Sequence, residues 1–264
     1  MKSRLCLLLL LVVACSGGWA YPTLYGDTGL VEVPTADTLQ NQNFDFAVDY
    51  TQAGTSDAGV RTTLLPIRLD YAVVPNAEVF AFYAHPTTKG AFRALGGGAK
   101  IRLIEESKIG YKPSIAVGGR VIDVSQGIEA NITNVYAVAS VPVFRFGSPY
   151  EPQYRIRLHA GVEYLRYSKN LDGSFTRPFA GVSFEAANNT AAVVEFQPKL
   201  EKDGIVFRPS TVSGALRFPL TPGLYMEFGA TRPYGFGDSQ VSAGLLYHFD
   251  PRASLVRDSD VLGY

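Results

Sequence analysis

Between Tyr154 and Glu163 the chain reads YRIRLHAGVE, and one parity of that stretch carries Arg155, Arg157, His159 and Glu163, with Gly161 among them. Two guanidiniums, an imidazole and a carboxylate on one face have two uses. They can pair with one another, or they can contact anionic and hydroxyl-rich solutes through the planar donor fork of arginine. The corresponding parity elsewhere collects Asp45, Asp49, Arg68, Asp70, Lys100, Arg102, Arg120, Glu185, Glu195, Arg217 and Glu227. Their signs nearly balance, so a network of ion pairs is the simpler outcome and a polar passage the functional one.

Acid–base catalysis has few candidates. The histidines are His85, His159 and His248; no spacing ties them to a nucleophile, and neither GxSxG nor HExxH occurs. The run GGGAK from Gly96 lacks phosphate-loop spacing, and its glycines suit a crowded, bent strand. The sequence implies no catalytic residue, no metal ligand set and no cofactor. An outer-membrane lipid-modifying hydrolase is the enzyme alternative, and it rests on His159 alone.

The elements that carry these residues are strands. Side chains alternate faces along a strand and repeat at about 3.6 residues along a helix. Two-residue alternation recurs from FDFAVDY at Phe44 to SAGLLYHF at Ser242, the latter strict except at Leu246. It predicts twelve strands near residues 44–51, 60–74, 77–85, 94–105, 114–124, 132–146, 154–168, 178–186, 191–200, 211–220, 224–232 and 240–249. Tight links such as Pro75-Asn76 alternate with longer polar ones such as KNLDGSFTR and RPYGFGDS, while EESKIGYKP and GSPYEPQ blur the pattern. Pro66, Pro142, Pro198 and Pro219 require bulges or strand ends.

Most of these segments reach the roughly 9 to 11 residues of a tilted membrane strand rather than the roughly 5 to 6 of a soluble one. Aromatics gather toward their ends: Phe44, Tyr50, Tyr71, Tyr136, Tyr154, Tyr164, Phe228, Tyr247 and Phe249. An arginine or lysine at mid-bilayer depth costs about 2 to 4 kcal/mol on the lipid face, so the charged parity belongs inside. The expected fold is all-β, a closed antiparallel transmembrane barrel of about 12 strands. A soluble periplasmic barrel that binds a ligand shows the same period with its faces reversed.

The first residues, MKSRLCLLLLLVVACSGGWA, have the basic, apolar and small-residue regions of an export signal. Cleavage after Ala20 and lipidation at Cys15 are both open. Cys6 and Cys15 are the only cysteines, so cleavage after Ala20 leaves no thiol. Loss of Lys2 and Arg4 takes 24 basic residues to 22 against 24 acidic ones, a formal charge of −2 with no field for nucleic acid. The expected division is a signal peptide over 1–20, an N-terminal segment over 21–43, a barrel over 44–249 and a tail over 250–264. The expected location is the outer membrane of a Gram-negative bacterium.

Ser242, Gly244, Tyr247 and Phe249 resemble the last-strand signature by which the barrel-assembly machinery of Gram-negative outer membranes recognises its clients. The stretch GDTGLVEVPTADTL, Gly26 to Leu39, resembles the opening of YjbH-type outer-membrane proteins. That resemblance implies an association with exopolysaccharide production or export; with the missing catalytic motifs, the expected chain is a porin-like, non-enzymatic barrel. The expected partners are outer-membrane lipid, from the apolar face, the assembly machinery, from the last-strand signature, and polysaccharide, from this resemblance. The residues of the stretch allow a first strand or an inward-tucked segment, with turns at Gly26 to Gly29 and at Pro34; a plug or a substrate contact is a further reading.

Overall fold

The computed structural model describes residues 21–55, 61–87, 93–107, 110–125, 129–147, 152–170, 172–202, 205–234 and 239–251. The expected signal peptide, Cys15 and most of the expected tail lie outside them. Among the described residues fourteen strands follow one another: β1 (Phe44–Thr55), β2 (Arg61–Val74), β3 (Ala77–Pro86), β4 (Arg93–Ile104), β5 (Ser114–Ser125), β6 (Ala130–Gly147), β7 (Pro152–Lys169), β8 (Gly173–Ala186), β9 (Ala191–Gln197), β10 (Leu200–Lys202), β11 (Ile205–Arg208), β12 (Ser210–Thr221), β13 (Leu224–Tyr234) and β14 (Gln240–Phe249).

Twelve of them close into one antiparallel barrel, each paired with its neighbour in the chain except where β9 meets β12. The remaining two, β10 and β11, form a separate two-stranded sheet in the β9 to β12 excursion. Closure comes from β1 pairing with both β2 and β14, with Phe44 opposite Phe249 at the seam. A closed ladder leaves no free edge along its paired length, which is the condition for strands to cross a bilayer.

Period two sorts the side chains as the residue types demand. Phe46, Val48, Leu69, Leu158, Val162, Val194, Leu216 and Leu245 face outward and exposed, while Asp45, Asp49, Arg68, Lys100, Arg157, Glu163, Glu195 and Arg217 are buried. Outward aromatics cluster at the short-turn end, where Tyr154 lies 5.8 Å from Phe184 and 6.2 Å from Phe146 between ring centroids. Tyr136 corrects the sequence reading. It faces inward and is buried, because its hydroxyl finds a carboxylate there.

Other departures are local. KNLDGSFTR is not a long loop, since β7 runs to Lys169 and β8 begins at Gly173. Pro142 and Pro219 stand at register shifts, and Pro198 follows the end of β9. Pro66 falls where the β1–β2 ladder skips from Val48–Ile67 to Thr51–Leu64. The glycines of GGGAK relieve crowding: a Cβ on Gly96 or Gly98 would meet Phe82 or Phe80, the residue directly across the ladder.

Candidate functional site: a lumen filled by the N-terminal segment

Residues 21–43 precede β1 and contact inward-facing side chains around the barrel, from Ala47 on β1 and Arg68 on β2 to Leu246 on β14, which places them in the lumen. Short bridges from Pro22 to Thr28 and from Gly29 to Pro34 fold the segment compactly. Gly26 adopts φ +97°, and a Cβ there would sit 3.1 Å from the Ala81 carbonyl. Leu30, Val31, Val33 and Ala36 pack with Tyr136, Val138, Phe179 and Val193. Gly181 makes that docking possible, because a Cβ on it would lie 2.2 Å from Leu30 Cδ1. Gly181→Ala is therefore expected to loosen the segment, with Leu30→Ala restoring part of the lost thermal stability. Additive losses in the double variant would refute the contact.

The barrel grips this segment largely by its backbone. The Glu195 carboxylate accepts the N–H groups of Val31 at 2.9 Å, Glu32 at 3.0 Å and Val33 at 3.2 Å. Glu78 accepts the N–H groups of Thr28 and Leu39, both at 2.9 Å. The carbonyls are met by cations: Arg68 donates to Pro22 at 2.6 Å and Thr23 at 3.0 Å, Lys100 to Thr28 at 2.7 Å, and Arg217 to Gly29 at 3.1 Å and to Leu30. A segment without internal sheet or helix needs such partners when buried, since an orphaned backbone group costs about as much as a lost hydrogen bond.

Side chains of the segment complete the network. Asp27 takes the Tyr136 hydroxyl at 2.7 Å and lies 3.4 Å from Arg120, whose guanidinium covers the Tyr25 ring at 4.1 Å. Asp37 pairs with Arg157 through both terminal guanidinium nitrogens. Burial pushes the Asp37 carboxyl up, but Arg157 outweighs it and holds the group well below the usual carboxylate range. Its contribution is complete above the unfolded carboxyl pKa of about 3.9 and is lost only as pH falls through the lower folded value. From the opposite mouth, Arg208 of β11 reaches Glu32.

The sequence-predicted residues mostly meet here. Arg68 pairs with Asp49 at 2.7 Å and lies 3.8 Å from Glu227, which binds Arg217. Glu163 joins Arg120 to Arg177. Arg155 binds Glu185 at 2.7 Å, and Arg157 binds Glu106 at 2.9 Å. Asp70 is buried beside Asp45, its partner across the β1–β2 ladder. Arg102 stays apart at the rim, bonded to Asn76 of the β2–β3 turn at 3.0 Å. Arg157 is 1% exposed and Lys100 0%. A water-wide passage at their height would leave them accessible, so the lumen is closed there.

In the last strand, Tyr247 and Phe249 point outward while Ser242 and Gly244 take the inward parity. A Cβ on Gly244 would strike the Asp49 carboxylate at 1.9 Å. Leu246 breaks the alternation for a reason: it is buried against Tyr21, Ala47 and Ala191 at the base of the lumen segment.

His159 does have a serine beside it. Ser140 Oγ lies 2.8 Å from its Nδ1 and accepts the Ala36 N–H, so the serine proton points to Nδ1. Ser183 donates to Glu185 and so accepts from Nε2–H at 3.0 Å. These bonds set the neutral Nε2–H tautomer. Ser140 is fully buried behind Ala36, which denies it a substrate.

Glu78, Glu106, Arg177, Asp27 and Asp37 escaped the sequence reading. Glu78 shares its face with Phe80 and Phe82, so β3 shows no polar parity, and Arg177 sits in a stretch of loop-like composition. No protein-family model matches the chain, and no curated protein does. Among solved structures, the KdgM porin is similar at TM-score 0.55 and 12% identity over 78% of this chain and 99% of that one. The COG4313 outer membrane channel from Pseudomonas putida F1 is similar at TM-score 0.53 and 10% identity, over 83% of this chain and 100% of that one. At such identity the likeness establishes the barrel fold.

Proposed function

We propose that the chain is an outer-membrane barrel of channel type whose passage is occupied by its own residues 21–43, reached by signal-peptide export and the barrel-assembly machinery. The observation that carries this reading is the polarity of the wall: apolar residues face outward on each barrel strand, while Asp45, Asp49, Arg68, Lys100, Arg157, Glu163, Glu195 and Arg217 are buried inward around a docked segment. Heat-modifiable gel migration of protein recovered in the outer-membrane fraction tests it; a monomer free of detergent in periplasmic extract would overturn it. The wild-type chain is expected to be silent in planar bilayers across salts and voltages.

Tyr247 and Phe249 are outward at the short-turn end, where a charge meets the lipid interface and the assembly signature at once. Phe249→Asp or Tyr247→Asp is expected to lower outer-membrane abundance several-fold, read by immunoblot of fractions, with unchanged abundance arguing against an assembly role.

The cargo we propose is an envelope polysaccharide. Supporting it are the resemblance of Gly26 to Leu39 to YjbH-type proteins and the wall arginines Arg68, Arg120, Arg157 and Arg217, which hold the docked segment and whose forks suit hydroxyl and carboxylate groups when it is displaced. A barrel of this fold, the KdgM porin, is known in complex with disordered oligogalacturonate, at TM-score 0.50, 11% identity and coverage of 79% of this chain and 99% of that one. Deletion of the gene should reduce secreted exopolysaccharide, measured as uronic acid and neutral sugar in culture supernatant. Unaltered secretion would remove the cargo and leave the barrel.

A further inference from the structure

Beneath the lumen segment, at the end where both barrel termini emerge, several buried oxygens lack any donor. Asp45 and Asp70 are direct partners across the β1–β2 ladder, which brings their Cβ atoms to about 4.5–5.5 Å. Both oxygens of Asp70 are unpartnered, as are Oδ2 of Asp45 and Oδ1 of Asn43, which lies two residues before Asp45 on the same face. All three residues are 1% exposed. Buried carboxylates are ordinarily paired or bound to a metal.

The neighbouring cations are committed elsewhere. Arg68, two residues before Asp70, donates to Asp49, Pro22 and Thr23. Lys100 is held by Glu78 and Thr28. His248 takes only Oδ1 of Asp45, at 2.6 Å, and turns its other nitrogen to Asn43 at 3.2 Å. None of them reaches Asp70.

We propose that Asp45, Asp70 and Asn43 form a calcium site. Two carboxylates neutralise a divalent ion, and the amide oxygen with bound water fills the six to eight oxygen positions that calcium accepts in flexible geometry. Among the described residues no group of three or more His, Cys, Asp or Glu is gathered for a metal; this site has two acids only, and its remaining positions fall to the Asn43 amide oxygen and water. His248, level with Asp45 across the seam and partly exposed, borders the site. The site departs from the expectation that the chain holds no metal. Because it ties β1 to β2 beside the β1–β14 seam, it acts on the closure of the barrel.

The test uses the full chain in detergent after EDTA treatment. Calcium titration followed by calorimetry should show one saturable site with a dissociation constant of about 10⁻⁴ to 10⁻³ M, the range of sites on extracellular modules. At ten times that constant, unfolding should become about elevenfold less favourable and the melting temperature should rise. Asp70→Asn and Asn43→Ala should each abolish the calcium-dependent shift, and Asp123→Asn, on an exposed carboxylate, should retain it. No shift in the wild type would overturn the site, as would a shift that survives Asp70→Asn. A wild type that ignores calcium while Asp70→Asn is more stable would overturn it in favour of a protonated Asp70.

Discussion

Deletion of residues 21–39 is expected to turn a bilayer-silent barrel into one that passes stepwise ionic current. The expectation depends on the barrel surviving the loss, and the wall charges indicate that it does. Each wall cation that touches the segment keeps a carboxylate on the wall itself: Arg68 keeps Asp49, Lys100 keeps Glu78, Arg120 keeps Glu163, Arg157 keeps Glu106 and Glu185, and Arg217 keeps Glu227. A buried charge stripped of its partner costs about 3–5 kcal/mol, and none of these is stripped. What is lost is the apolar packing of Leu30, Val31 and Val33, the backbone bonds of the segment and the ion pairs of Asp27, Glu32 and Asp37, while the closed ladder is untouched.

Twelve strands lie between the roughly eight that side chains can fill and the 16 to 18 that leave an aqueous channel, so the occupancy of the lumen decides whether current flows. Current after deletion, and its suppression by a synthetic 21–39 peptide, would show that the segment is the block. A deletion variant that folds, migrates with heat-modifiable mobility and stays silent would show instead that the wall ion pairs close the barrel unaided.

Much of the wall was legible in the sequence because period two is a local signal. YRIRLHAGVEY alone separates Arg157 and His159 from Leu158 and Val162, and the structure keeps that separation along β7. The signal fails where both faces are apolar, as on β3, and Glu78 was missed for that reason. It misassigned Tyr136, since a tyrosine suits a lipid interface and a buried hydroxyl equally well. The lumen segment was visible only as a motif. Glu195 and Arg217 bind its N–H and C=O groups, which every residue possesses, so no side-chain pattern announces the contact. Leu246, the one break in the alternation of its strand, packs against Tyr21 of the segment, but an inward apolar residue does not by itself name its partner.

That backbone grip concentrates in Glu195, and its removal carries the other large expected effect. Glu195→Ala leaves the buried N–H groups of Val31, Glu32 and Val33 without an acceptor, at about 1–3 kcal/mol for each group. Even the lower figure gives roughly 3 kcal/mol, or about two orders of magnitude in the population with the segment undocked. A thiol reports that population cleanly, because the chain has no cysteine after Cys15. Ala36→Cys places one at a fully buried position of the segment. When docking is faster than labelling, the maleimide reaction rate follows the undocked fraction. The rate should rise about a hundredfold in Glu195→Ala and remain unchanged in Glu201→Ala, whose carboxylate contacts only Lys199 among the described residues. A rise confined to Glu195 would identify a carboxylate that holds a polypeptide by its amides; equal rates in both variants would mean that apolar packing around Leu30 holds the segment by itself.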